Sequence, residues 1–225
     1  MKRTRLKLTK RLRIPGNSQE EFLKECGFNV IAGVDEVGRG AWAGPIVAAA
    51  VILPAAPKTQ KTCLKANVKT KKIYGIRDSK LLTGKEREQL NLKIRRKCRV
   101  GIGEVSVEEI DNLKMTKATQ LAFQRALKNL SCNIDFVLVD AFKIDSPIPC
   151  RALKKGDMTC SSIAAASIVA KVYRDKLMAK MDRKICGYHF QKHKGYGTKL
   201  HQNCLKKLGP SSVHRKSFAP IKELL

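Results

Sequence analysis

Short apolar runs alternate with longer amphipathic ones along this chain. Residues 30–34 and 45–53 are almost wholly apolar, and Gly38-Arg39-Gly40 turns the chain between them. Both runs predict buried strands. Residues 85–97 place Leu90, Ile94 and their neighbours at helical spacing. Residues 99–107 alternate Val100, Ile102, Val105 and Val107 with small or polar residues, and Gly101 and Gly103 favour a strand over a helix. Ser106 is a candidate cap for a short helical turn over 107–113. A second helix over 116–130 gathers Leu121, Ala122, Phe123, Ala126 and Leu127 on one face. The unbroken run Phe136-Val137-Leu138-Val139 predicts a strand, 135–140, covered on both faces. A short strand or loop over 148–153 precedes a long helix over 161–181, Ala-rich at its start and charged from Lys171. A last helix over 199–208 stops at Gly209-Pro210. This order implies an α/β domain with a mixed sheet.

A chain of 225 residues makes one large domain, or a domain with a small appendage. Its charge is the unusual property. Lys and Arg number 46 against 19 Asp and Glu, a net charge of +27. That field favours a polyanionic partner and disfavours small cationic ligands. Residues 1–19 and 54–77 hold seven basic groups each, 183–222 hold ten, and none of these stretches contains an acid. They predict a phosphate-binding face, with a solvated surface as the plain alternative. Residues 1–19 fit a flexible basic arm better than a transit peptide, because Ser18 is their single serine. The eight cysteines form no C-x-x-C pair, which argues against a structural zinc site and for free thiols in a reducing cytoplasm. The longest uncharged apolar run, 41–57, is broken by Gly44, Pro45, Pro54 and Pro57 and makes a poor membrane span.

In so basic a chain the placement of the acids is informative. Asp35 and Glu36 follow one apolar run, Asp140 ends another, and Asp157 precedes the most apolar helix. A carboxylate at such a place is costly unless it is paired or metal-bound. Helix caps and ion pairs are the ordinary uses. Converging at strand ends, such acids are hard oxygen ligands for Mg²⁺ or Mn²⁺, and two ions can clamp a phosphodiester. The basic surface would then hold nucleic acid and the acidic pit the metal. His189 and His193 lack the glutamate of a metalloprotease pair and lie between Gly187 and Gly195, so a loop is expected there. Ser161 and Ser162 lie in no G-x-S-x-G, and the chain has no G-x-x-x-x-G-K-[ST]. Trp42 is expected to pack beside the glycine loop.

The segment from Gly33 to Pro45, GVDEVGRGAWAGP, closely resembles the opening motif of the ribonuclease HII family. Asp78-Ser79-Lys80-Leu81-Leu82 continues the resemblance, followed by the strand ending at Asp140 and by Lys155-Gly156-Asp157. The helix with Ser167, Lys171, Arg174 and Asp175, then Gly195-Tyr196-Gly197-Thr198 with His201, and His214-Arg215-Lys216-Ser217-Phe218 complete the family order. The resemblance covers about 30–218. It implies a ribonuclease H-like fold, a mixed five-stranded sheet flanked by helices, with a helical C-terminal extension. The division expected is a basic arm at 1–19, a catalytic domain at 20–185 and a basic, substrate-binding extension at 186–225. It also implies a metal-dependent endoribonuclease that cleaves the RNA strand of RNA–DNA hybrids. Such an enzyme also incises 5′ of single ribonucleotides in duplex DNA, leaving a 3′-hydroxyl and a 5′-phosphate.

By this resemblance Asp35, Glu36, Asp140 and Asp157 are the catalytic acids and bind one or two Mg²⁺ or Mn²⁺ ions. Gly38, Arg39 and Gly40 sense the 2′-hydroxyl, Tyr196 packs on the neighbouring deoxyribose, and Ser79 and Lys80 hold backbone phosphates. The chemistry agrees. Glycines admit a ribose edge, main-chain groups can read a 2′-hydroxyl, and Arg39 offers a fork to a phosphate. The partners implied are RNA–DNA hybrid and ribonucleotide-containing duplex DNA, with no membrane and a monomer as default. Ala141-Phe142-Lys143 departs from the family, where a glycine often follows the aspartate, and 54–77 carries little resemblance. A non-catalytic RNA- or DNA-binding protein is the alternative. The four acids count against it, because a pure binder has no use for acids beside phosphates.

Overall fold

A strand without a polar side chain must be covered on both faces. Strand β2 (Ile46–Ile52) is such a strand, and it organises the molecule. Its Ile46, Ala48 and Ala50 join one apolar cluster, and its Val47, Ala49 and Val51 join another. The structure is a computed structural model, and it describes residues 15–54, 75–76 and 79–225. Within them β2 lies inside a mixed sheet with β1 (Ile31–Val37), β3 (Arg99–Val105), β4 (Phe136–Asp140) and β5 (Cys150–Leu153), in the order β3-β2-β1-β4-β5. The first three strands are antiparallel neighbours, and β4 and β5 join them in parallel.

Helices close both faces. Helix α1 (Ser18–Glu25) precedes the sheet and spans the boundary expected after residue 19. Helix α2 (Gly84–Lys97) starts at a capping box in which Thr83 and Glu86 satisfy each other's main-chain N–H groups. Helix α3 (Val107–Lys128) starts likewise at Ser106 and Glu109 and covers the face of Ala48 and Ala50 with Ala118, Ala122, Phe123 and Ala126. The chain leaves helical geometry at Lys114, where φ is 64°. The two helices expected over 107–113 and 116–130 are thus two pieces across a break. Arg125 ties them together through two bonds to Glu109, at 2.6 and 2.8 Å. Gly103 explains how closely α3 approaches, since a Cβ there would meet the main chain of Ala122 and Ala126.

The opposite face takes α5 (Ser161–Lys184), whose stretch from Ala164 to Ala170 packs on Val47, Ala49 and Val51 together with Leu90 and Ile94 of α2. The one-turn α4 (Gly156–Thr159) leads into α5. Beyond α5 come α6 (Phe190–His193), α7 (Lys199–Leu208) and α8 (Ala219–Lys222). They gather around Tyr188, Phe190, Leu205 and Ile221 and meet Ala43 and Met178 of the main body. Gly209 ends α7, as expected. No helix among the described residues is long and apolar enough to cross a membrane. Most of the basic arm and of the 54–77 stretch lies outside the described residues, as does Asp78.

Candidate active site

Asp35 and Glu36 do not follow β1. They lie within it, opposite Ala49 and Ala48 of β2. The strand expected to end in Asp35-Glu36 in fact runs on to Val37, so both acids are paired within the ladder. Strand β4 runs parallel to β1 with Val34 beside Val139, so Asp140 ends up beside Asp35. The main-chain N–H of Gly156 donates to Asp140 Oδ1 at 2.7 Å, which brings Asp157 to the same place. Asp35 and Asp157 are buried, and Glu36 is largely so.

Asp35 and Glu36 resist charging. Burial pushes the Asp35 carboxyl well above its usual range, and the adjacent Glu36 charge adds to the shift. Glu36 is raised to about 7 by burial, against the opposing pull of Arg39, with Asp140 raising it further. Each acid faces a different protein group. Asp35 Oδ1 accepts from the Glu36 N–H at 2.8 Å, Asp157 Oδ2 faces Lys80 Nζ at 3.3 Å, and Glu36 Oε1 lies 3.7 Å from Arg39 Nη1. Glu36 Oε2 is buried without a partner. Among the described residues no three His, Cys, Asp or Glu side chains stand in ligating geometry. The acids therefore converge in position and field, not as a finished cage. An all-oxygen, under-compensated set with an orphaned buried oxygen fits a hard divalent cation.

The Gly38-Arg39-Gly40 turn stands next to these acids. Gly38 has φ of 97°, and a Cβ there would strike the Arg174 guanidinium. Only glycine meets both conditions. Gly40 faces open space, where a sugar edge could approach the main chain. Tyr196 is half-buried, not a core tyrosine. Its main chain bridges to Ala41, and the Trp42 N–H donates to Gly195 C=O at 2.8 Å. The glycine turn and Tyr196 thus belong to one unit, and Trp42 packs inside it against His201. The Lys80 side chain is 78 % exposed even though its ammonium is paired with Asp157. The Ser79 hydroxyl is turned inward instead, 2.9 Å from Ser167 Oγ, and Ser167 in turn bonds Asp35.

Several residues that hold this site were quoted only as parts of a motif, or not at all. Arg174 is fully buried and donates to the carbonyls of Pro45, Ala43 and Lys194 at 2.9–3.1 Å, with its guanidinium 5.6 Å from the Tyr196 ring. Arg215, equally buried, donates twice to Gly44 and once to Arg39 C=O at 2.9 Å. Burial lowers the Arg215 pKa to about 9. Five planar donors let one side chain satisfy several loop carbonyls, which a lysine cannot match. His214, His201 and the Tyr196 carbonyl form a chain of contacts at 3.0 and 3.1 Å. Ser211 N–H donates to His214 Nδ1, so His214 Nε2 carries the proton toward His201, whose Nδ1–H donates to Tyr196. Burial lowers both histidines to about 4, which keeps this tautomer chain neutral. Glu20 of α1 accepts from the Ser162 N–H at 2.9 Å and so caps α5 from outside it.

The five-stranded sheet, its flanking helices and the acids at β1 and β4 define a ribonuclease H-like fold. The chain matches the ribonuclease HII family model over residues 32–221. It is 44 % identical over 213 residues to a ribonuclease HII of Dehalococcoides mccartyi, covering 94 % of this chain and 95 % of that protein. Among solved structures it resembles ribonuclease H2 from Pyrococcus horikoshii, with TM-score 0.68, 23 % identity, and 87 % and 97 % of the two chains covered. It also resembles Bst-RNase HIII in complex with Mn²⁺, with TM-score 0.61, 18 % identity, and 87 % and 68 % covered. The chain belongs to the ribonuclease HII family, and its activity is that of a ribonuclease H endonuclease. Membership sets aside the passive nucleic-acid binder.

Proposed function

We propose that this enzyme, besides cutting the RNA strand of RNA–DNA hybrids, incises duplex DNA on the 5′ side of a single embedded ribonucleotide, leaving a 3′-hydroxyl and a 5′-phosphate. The observation that carries this reading is the union of the Gly38-Arg39-Gly40 turn with Tyr196, through the Ala41 bridge, beside the buried acids. In this reading the main chain of Gly38 to Gly40 reads a 2′-hydroxyl, which both donates and accepts. The Tyr196 ring offers a flat apolar face to a sugar lacking that hydroxyl. A ribose followed by a deoxyribose satisfies both. Arg39 and Lys80 hold the flanking phosphates, and Ser79 steadies Asp35 through Ser167.

Asp35, Glu36, Asp140 and Asp157 would hold one or two Mg²⁺ or Mn²⁺ ions; the Mn²⁺ complex of the HIII enzyme of the same fold supports the choice of ion class. A bound ion supplies a Lewis acid and a water of lowered pKa. To do this Asp35 and Glu36 must give up their protons, and the acids must turn from Arg39, Lys80 and main-chain donors. Arg39 and Lys80 would then face phosphate in place of the acids. Free thiols at the seven described cysteines suit the cytoplasmic setting assigned to this reading.

The test is cleavage of duplex DNA carrying one ribonucleotide, with Mg²⁺, Mn²⁺ or EDTA, beside an all-DNA control and Asp35→Asn. One metal-dependent cut 5′ of the ribonucleotide, absent in the variant and the control, is expected. Cleavage of long hybrids with no cut at the single ribonucleotide would refute the junction reading while leaving the ribonuclease H activity intact.

A further inference from the structure

We propose that Phe142 is a positioning residue: its ring sets the plane of the Arg39 guanidinium and aims it at substrate phosphate. The chain makes this contact by an unusual route. Directly after Asp140 it turns through Ala141, whose φ is 56°, in the left-handed region that favours glycine. Ala141 N–H donates to Leu153 C=O at 3.0 Å and Phe142 N–H to Asp140 C=O at 2.6 Å. The turn swings Phe142 out of the sheet and across to the glycine loop. There the ring stays 38 % exposed, and the Arg39 Cζ lies 3.8 Å from its centroid.

Two groups compete for that guanidinium. Glu36 Oε1 stands at 3.7 Å, well beyond the length of a charge-assisted hydrogen bond. The ring stands at full van der Waals contact. The ring therefore fixes the orientation, while Glu36 contributes only a loose attraction. Arg215 fixes the other end of the residue through the Arg39 carbonyl. A guanidinium stacked by its face keeps its N–H edges available for two-point binding of a phosphate. Without the ring, Arg39 is free to settle onto Glu36, where it would occupy an acid and lose its own aim.

This inference rests on the reading that Arg39 binds substrate phosphate, and the experiment separates the two. Fluorescence anisotropy in EDTA gives the Kd for duplex DNA carrying one ribonucleotide, with no cutting to complicate it. The proteins are wild type, Phe142→Ala, Phe142→Leu, Phe142→Trp, Arg39→Ala, and the double variant Phe142→Ala with Arg39→Ala. Losing a cation–π contact at an exposed site corresponds to about a two- to five-fold weaker Kd for Ala and for Leu. Phe142→Trp should restore binding, and the thermal midpoint of Phe142→Ala should fall by no more than about 4 °C. In the Arg39→Ala background Phe142→Ala should add nothing. An unchanged Kd in Arg39→Ala would overturn both the phosphate reading and this inference. A weaker Kd in Arg39→Ala with an unchanged one in Phe142→Ala would overturn the role of the ring alone. An equal loss from Phe142→Ala in both backgrounds would mean that the ring touches nucleic acid directly, which also overturns the proposal.

Discussion

Adjacent acids on one buried strand repel each other, and Asp140 beside them adds to the repulsion. The sign of the pH effect follows. Glu36 titrates at 4.5 when unfolded and about 7 when folded, so the folded chain holds a proton that the unfolded chain has released. This stability is fully present below the unfolded value and is lost as pH rises through the folded one. In EDTA the thermal midpoint should fall between about pH 4.5 and about pH 7 from this source, and Glu36→Gln should flatten that fall. An unaltered slope in the variant would remove Glu36 as its source. At about pH 8 in EDTA, Asp35→Asn should be more stable than wild type by about 1–3 kcal/mol, and with Mg²⁺ it should lose cleavage, because on the proposed reading metal binding maintains the repulsion. Equal or lower stability would show that Asp35 is already compensated. Gly38→Ala bears on the glycine turn. Its Cβ would displace Arg174, so kcat/KM should fall by about ten-fold or more while the circular dichroism spectrum is kept. Wild-type activity would mean that Arg174 can yield without disturbing the turn.

At the scale of elements, α1 serves the site from a distance. The N-terminus of α5 has no side-chain cap of its own, and Glu20 supplies one across 142 positions. Helix α5 carries Ser167 and Arg174, so its seating reaches both Asp35 and the glycine turn. Glu20→Ala should cost about 1–2 kcal/mol in urea unfolding, the usual worth of a cap plus a freed buried donor. No change in stability would show that water replaces it. Strand and helix positions were legible because period-two and helical patterns survive in sequence: 199–208 and Lys199–Leu208 coincide. The pairing of Asp35 and Glu36 with Ala49 and Ala48 was not, because cross-strand partners leave no local pattern. The acids themselves were legible as charges misplaced in a basic chain. Arg174, Arg215, Glu20 and Phe142 were not legible as supports. Arg174 meets Pro45 from 129 positions away and Arg215 meets Arg39 from 176, distances at which no local pattern forms.

Across the whole molecule, opposite charges have separate places. The net charge is +27, yet the strand ends hold acids that repel one another. On the proposed reading a polyanion would be drawn to the surface over many contacts, while the acids would oppose it locally until a cation offset them. Affinity should therefore depend on salt steeply and in two parts. The basic surface contributes a slope of log K on log salt of about −0.9 for each phosphate neutralised on duplex DNA. Several such contacts should give a slope of about −4 or steeper in EDTA. Asp35→Asn changes the local repulsion and not the number of phosphates met, so it should raise affinity at every salt concentration with nearly the same slope. Removing residues 1–13, which carry seven basic groups, should do the reverse: a shallower slope with the cut site unchanged. A slope that survives this truncation would take the arm out of binding and leave the phosphate contacts to the body, chiefly the ten basic groups of 183–222. A shift of the cut site would instead give the arm a part in register, which only the glycine turn and Tyr196 should set.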